Sequence, residues 1–133
     1  MLVWTPRPLQ SRKGILLYLD GLIPSKKNSR VTNRKTGRSF PSRKYTQWHK
    51  DATEQLTWQE PGPATGDPLK VRAHLFFGTR GRADLTNKAE SVMDLLVDFG
   101  VLPDDSWLVV NDIRLTGSYR KGRPGALVRI YNG

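Results

Sequence analysis

The order of patterned segments predicts an α+β fold: a mixed β-sheet of about four to five strands, with two main helices packed on one face. Three observations carry this. Apolar residues recur every three or four positions in two separate stretches, the mark of two amphipathic helices. Short apolar or alternating runs lie before, between and after them, at strand lengths. The resulting order is strand, basic loop, helix, strand, helix, then two or three strands, which is not the strict alternation of a parallel α/β sheet. At 133 residues the chain supports one core, so residues 1–133 are expected to form a single domain.

Residues 1–14 mix proline and arginine without a period and are expected to form a loose arm. Ile15 to Leu19 (ILLYL) reads as a strand that stops at Asp20-Gly21. Residues 23–42 hold Pro24, Asn28, Asn33, Gly37 and Pro41, all helix breakers, among many cations. Within them Lys35-Thr36-Gly37-Arg38 has the composition of a hairpin turn. Ser42 is a good N-cap for a helix over 43–58, whose stripe is Tyr45, Trp48, Ala52 and Leu56. Pro61 to Pro68 is a loop. Leu69 to Phe77 (LKVRAHLFF) alternates, burying Leu69, Val71, Ala73 and Leu75 on one side. His49 and His74 have no second ligand nearby in sequence and read as structural residues. Leu85, Ala89, Val92, Met93, Leu96 and Phe99 give the second helix its buried side. Asn87, Glu90, Ser91, Asp94 and Asp98 fall on the other. Gly100 sits where a C-terminal cap is expected. Trp107 to Val110 reads as a strand that Asp112 to Arg120 continues or pairs with. A turn follows at 121–125, and Ala126 to Tyr131 closes the chain as a strand.

Composition narrows the function. The absence of cysteine rules out disulfides, thiolate metal sites and cysteine nucleophiles. No apolar run nears the roughly 20 residues of a membrane span, and the first residues lack a signal-peptide apolar region. A cytoplasmic protein without membrane partners is therefore expected. The formal charge is +10, unevenly spread: residues 1–50 carry 12 Lys or Arg against Asp20 alone, whereas residues 51–133 carry 10 against 11 acids. A basic segment with interleaved aromatic and polar donors fits nucleic-acid phosphates better than a membrane surface, since no basic amphipathic helix accompanies it. Lys26, Lys27, Asn28, Arg30, Arg34, Lys35 and Arg38 are the expected backbone contacts, with Arg80 and Arg82 on the approach to Asp84.

Against that basic background, six of the 12 acids fall between Asp84 and Asp105. Asp84, Glu90, Asp94, Asp104 and Asp105 supply enough oxygen donors for one or two divalent ions, which would activate water and neutralise charge in phosphodiester hydrolysis. Each also has a plain structural role open to it. Asp84 could be a loop or cap acid, Asn87 with Glu90 a variant capping box, Asp104-Asp105 a turn, and Asp94 and Asp98 solvated surface. The residues alone leave both readings open: a metal-dependent nuclease, or a non-catalytic basic DNA- or RNA-binding module with structural acids.

The stretch resembles the RusA family of Holliday junction resolvases, whose motif is approximately D-x-D-N-x-x-K-x-x-x-D-x-L, then glycine, then D-D ahead of a strand. Asp84, Asn87, Asp94, Leu96, Gly100, Asp104 and Asp105 match it. Pro24, Ser25 and Asn28 after the first strand, and Tyr45 in a Ser-capped helix, extend the resemblance over most of the chain. It implies a homodimeric, Mg²⁺-dependent endodeoxyribonuclease (Mn²⁺ as a possible substitute) acting on four-way DNA junctions in recombination and repair. Two positions depart from the motif: Thr86 replaces the second aspartate and Glu90 the lysine. Positions i and i+4 are helix neighbours and side chains lean N-terminally, so Glu90 is expected to reach the space of the missing aspartate. On this reading Asp84, Glu90 and Asp105 hold the metal, with Asp104 as a further ligand. Asn87 orients a ligand or the phosphate, and Lys88 or a basic-loop cation replaces the lost lysine.

Overall fold

The computed structural model of the chain describes residues 14–25, 30–66 and 68–132, leaving aside the Arg30 side chain. Its elements are β1 (Ile15–Asp20), β2 (Arg30–Thr32), β3 (Ser39–Pro41), α1 (Arg43–Gln59), β4 (Leu69–Phe77), α2 (Leu85–Phe99), β5 (Val110–Tyr119) and β6 (Gly125–Tyr131). Four strands form one sheet in the order β1-β6-β4-β5, and β2 and β3 form a separate hairpin. The β4–β5 pair is parallel and the β4–β6 and β1–β6 pairs antiparallel. Parallel neighbours need a crossover, and α2 is that crossover. The α+β expectation is met: two helices lie on a mixed sheet of four strands.

Alternation decides which face the helices cover. Ile15, Leu17 and Leu19 of β1, Leu69, Val71, Ala73 and Leu75 of β4, and Ala126, Val128 and Ile130 of β6 are all buried on one side. They meet Trp48, Ala52 and Leu56 of α1 and Val92, Met93, Leu95 and Leu96 of α2. Each fully buried Leu, Ile or Val contributes roughly 1.5–3 kcal/mol of transfer free energy. The opposite face of the sheet carries Lys70, Arg72, His74, Arg129 and Tyr131, partly or fully exposed.

The helix ends are fixed as the sequence predicts. Ser42 Oγ accepts from Tyr45 N at 3.2 Å, capping α1. Gly100 takes the left-handed conformation, φ 93°, and Val101 N reaches Leu96 O at 2.9 Å, closing α2 with a pattern that costs a side-chain-bearing residue strain. β1 is an edge strand, and α1 covers its outer edge. Gln59 Oε1 accepts from Tyr18 N at 2.8 Å and its Nε2 donates to Tyr18 O at 2.6 Å. Gln55 makes the same pair with Asp20 at 2.6 and 2.9 Å. Two glutamine amides thus satisfy backbone groups that would otherwise invite another strand.

Two expectations are corrected. Residues 107–109 form a turn rather than a strand: Val109 N and Val110 N both donate to Ser106 O, at 3.0 and 2.9 Å, so these amides are used locally. Trp107 and Leu108 consequently point outward, 76% and 64% exposed. Ser91, expected on the polar face of α2, is fully buried. Its hydroxyl donates to Pro24 O at 2.7 Å, which satisfies it where water cannot reach. The expected hairpin at Lys35-Thr36-Gly37-Arg38 is present, with Asn33 N donating to Arg38 O at 2.8 Å. Residues 1–13 of the expected arm lie outside the described residues.

Candidate active site

The site forms where α2 begins, because an aspartate ends the loop and starts the helix. Asp84 is the N-cap of α2, in extended backbone conformation. Its Oδ1 accepts from Thr86 N at 3.0 Å, Thr86 Oγ1 at 2.7 Å and Asn87 N at 3.3 Å, and its Oδ2 from Asn87 Nδ2 at 3.0 Å. The orphan amides of a helix N-terminus and its positive dipole end both favour a carboxylate there. Asn87 therefore sits in the first turn, where its amide orients Asp84, and Glu90 lies one turn further on, too deep for the capping-box role.

Beyond the cap, α2 presents Thr86, Glu90 and Asp94 at four-residue spacing, so they stack along one stripe. With Ala89 and Met93 they form one wall of a cavity of about 400 Å³, and Asp105, Ile113 and Leu115 form the rest. The structure thus brings Glu90, Asp94 and Asp105 to one cavity with a largely apolar floor. Asp84 lines a different hollow, of about 460 Å³, with Ser25, Arg82, Lys88 and Gly122 among its neighbours. Thr86 connects the two, since it lines the first cavity and is bonded to Asp84. Among the described residues, no group of three or more His, Asp or Glu side chains is arranged to hold a metal ion. Asp104 is exposed; its Oδ1 accepts from Asp105 N at 2.8 Å, a local turn contact.

Lys88 is half-buried and its ammonium donates to Ile23 O at 2.5 Å. Burial, and secondarily the nearby Lys44 charge, lower its pKa. Lys88 and Ser91, three residues apart on α2, hold Ile23 and Pro24 against the helix. They fix the point where the basic loop leaves β1. The sequence reading missed this role for Ser91. The available signal was a small hydroxyl between apolar neighbours in a helix, a residue that needs a buried acceptor if it faces inward. On the other side, Tyr45 of α1 faces α2. Burial first, then the charges of Asp94 and Asp98, push its hydroxyl up to about 12. His49 Nε2 lies 3.0 Å from Asp98 Oδ2, a second α1–α2 tie.

The cations divide by position. Arg34, Lys35 and Arg38 are exposed on the β2–β3 hairpin, and Arg30 belongs to β2. Lys26, Lys27 and Asn28 lie outside the described residues. Arg82 lines the Asp84 hollow, while Arg80 stacks on Tyr119 with its guanidinium 4.1 Å from the ring centroid.

The cavity gathers carboxylates within a strongly basic chain. Residues 21–131 match the family model described as Endodeoxyribonuclease RusA. A protein of Aquifex aeolicus (strain VF5), named crossover junction endodeoxyribonuclease RusA, is 28% identical over 116 residues, covering 87% of this chain and 90% of its own. With the family model spanning most of its length, the chain belongs to the RusA endodeoxyribonuclease family.

Proposed function

We propose that the chain is a structure-selective endonuclease that resolves four-way DNA junctions by magnesium-dependent phosphodiester hydrolysis. The observation that carries this is the convergence of Glu90, Asp94 and Asp105 on one cavity beside the Asp84 cap, in a member of a DNA-cleaving family.

The donor set fits a hard dication, because all of its ligating atoms are carboxylate oxygens. Mg²⁺ commonly keeps several waters and uses one or two carboxylates plus substrate phosphates. A cavity with Glu90 and Asp105 as holders therefore suits it without a preformed three-carboxylate cage, and Mn²⁺ shares the preference. Bound there, the ion would polarise the phosphodiester and make water nucleophilic near neutral pH. The chain's own residues do the rest. Glu90 and Asp105 bind, Asp104 fixes the direction of Asp105, and Asn87 holds Asp84 toward the phosphate. Arg82 and the hairpin cations Arg34, Lys35 and Arg38 grip the DNA backbone and stand in for the family lysine, since Lys88 is engaged by Ile23 O. In this proposal the carboxylate absent at Thr86 is supplied by Glu90, one turn on, in the same cavity. A junction offers symmetric strands for paired nicking, which favours a C₂ homodimer with two sites.

A second reading is favoured by Asp84, whose oxygens are already taken up in capping: a basic DNA-binding module with structural acids. Cleavage of a synthetic four-way junction and of linear duplex, with and without Mg²⁺, separates the two. The expected result is junction cleavage dependent on Mg²⁺ and lost in Glu90→Gln and in Asp105→Asn. Tight junction binding without cleavage at any metal concentration would leave the module. Wild-type cleavage by Glu90→Gln would end the relocation of the carboxylate.

A further inference from the structure

The face of the sheet turned away from the helices has no part in the site above, and its charge pattern is unusual. Arg72 of β4 is paired in register with Arg114 of β5 on one side and with Arg129 of β6 on the other. All three side chains are exposed. Strands lie about 4.8 Å apart, so three guanidinium groups line up across roughly 10 Å of sheet. Like charges directly opposite one another destabilise a sheet. Lys70 precedes Arg72 on β4, and Arg120 comes directly after β5. Asp112 lies 3.9 Å from Arg114.

Aromatic residues of the same face lie against these cations. The guanidinium carbons of Arg72 and Arg129 lie 5.4 and 4.8 Å from the Tyr131 ring centroid. That of Arg120 lies 3.9 Å from Phe76 and 5.6 Å from Tyr18, and Arg120 also donates to the Tyr18 hydroxyl at 2.6 Å. Guanidinium groups are the side chains best suited to bidentate phosphate contacts. His74 completes the row below, with its ring nitrogens 2.6 and 2.7 Å from the hydroxyls of Thr116 and Ser118.

We infer that this open sheet face is a second DNA-contacting surface, with the Arg114–Arg72–Arg129 row gripping the phosphate backbone of a duplex arm. Charge complementarity selects the occupant. A second copy of the chain packed face to face would set these arginines against their own equivalents, whereas a duplex repays the mutual repulsion by neutralising it. The row lies on the opposite side of the sheet from α2 and its cavity. DNA touching both must leave the cutting site in more than one direction, as the arms of a junction do. The inference takes from the proposed function only the nature of the polyanion, and it does not depend on cleavage.

The test is fluorescence anisotropy with a labelled four-way junction and a linear duplex in EDTA, across a range of salt concentrations. The variants are the triple Arg72→Gln/Arg114→Gln/Arg129→Gln and its charge-preserving counterpart with Lys at all three positions. Each phosphate contact contributes about 0.9 to the slope of log affinity against log salt. The glutamine triple should therefore lose about 2 to 3 from that slope, the single variants about 0.9 each, and the lysine triple little. Relief of repulsion should leave the glutamine triple at least as thermostable as wild type. An unchanged slope and affinity would overturn the inference. So would an unchanged slope with an altered oligomeric mass, which would make the face a contact between copies. If wild type never cleaves but the slope still falls, the endonuclease reading fails and this one stands. Normal cleavage with an unmoved slope has the reverse meaning.

Discussion

Asp84 is asked to do two things, and substitution separates them. As the cap of α2 it accepts four hydrogen bonds from Thr86 and Asn87. Losing an N-cap to alanine costs about 0.5–2 kcal/mol, and losing the negative charge at the dipole's positive end about 0.3–1 kcal/mol more. Asp84 is exposed, so Asp84→Ala should fall in the lower half of that sum, about 1–2 kcal/mol. In a chain of 133 residues that lowers Tm by roughly 4–8 °C. Asp84→Asn keeps a side-chain oxygen for the helix amides and caps as well as Asp. It should lose only the charge term, a few tenths of a kcal/mol. Catalysis should behave differently. If the carboxylate acts on the phosphate or its cation, both variants lose at least about 100-fold in rate, regardless of their stability. Calorimetry gives the first quantity. Single-turnover cleavage of an end-labelled junction, with enzyme in excess, gives the second free of product release. Asp84→Asn cutting within a few fold of wild type would refute a chemical role and leave Asp84 as a helix cap. Asp84→Asn as unstable as Asp84→Ala would refute the capping account.

Ser91→Ala leaves Pro24 O buried without its donor and should cost about 1–3 kcal/mol; the urea midpoint measures this, and a change within error would mean the carbonyl finds another partner. Tyr45 holds its proton to about pH 12 in the fold against an ordinary 10. Between those values the unfolded chain ionises first, so wild-type stability is intact below pH 10 and declines as pH rises toward 12. Tyr45→Phe should show a shallower decline over that window in urea titrations, and parallel curves would show that its hydroxyl is not protected. Gln55→Ala with Gln59→Ala uncovers the outer edge of β1. Faster exchange of the Tyr18 and Asp20 amides is expected, with self-association by light scattering.

The sheet and both helices were legible because periodicity reports burial directly. Leu69 to Phe77 alternates since one face meets the helices, and the α1 stripe at Trp48, Ala52 and Leu56 is the stripe that packs. The segment at 107–109 was misread for the same reason. Trp and Leu suggest burial, but Ser106 O captures the local amides and turns both side chains outward. Ser91 was misread because helical spacing gives a face and not its neighbour; only the tertiary approach of Pro24 makes a hydroxyl the right group there. In the site, the stripe of Glu90 and Asp94 could be read from four-residue spacing. The placing of Asp105 opposite it could not, since that depends on how the loop at 101–109 leads into β5. Nor could spacing show that Asp84 would be drawn into its own helix cap, in a hollow apart from Glu90.

The cavity is acidic in a chain that is basic as a whole, which gives a prediction independent of turnover. Glu90, Asp94 and Asp105 stand over an apolar floor of Ala89, Met93, Ile113 and Leu115, in a chain of net charge +10. Under the proposed function, these acids without a cation would oppose the phosphate that the hairpin arginines are proposed to attract. A unit charge about 4 Å from another is worth about 1 kcal/mol even at the dielectric of water, roughly a fivefold change in affinity. Glu90→Gln/Asp105→Asn should therefore bind a junction several-fold to about 25-fold more tightly than wild type in EDTA. The difference should shrink on adding Ca²⁺, because a bound cation does in wild type what the substitutions do in the variant. Binding energies are reciprocal, so the same factor should appear as tighter wild-type cation binding when the junction is present. If the double variant bound the metal-free junction no better than wild type, the phosphate would not come near these carboxylates. The cutting site would then have to be sought in the Asp84 hollow instead.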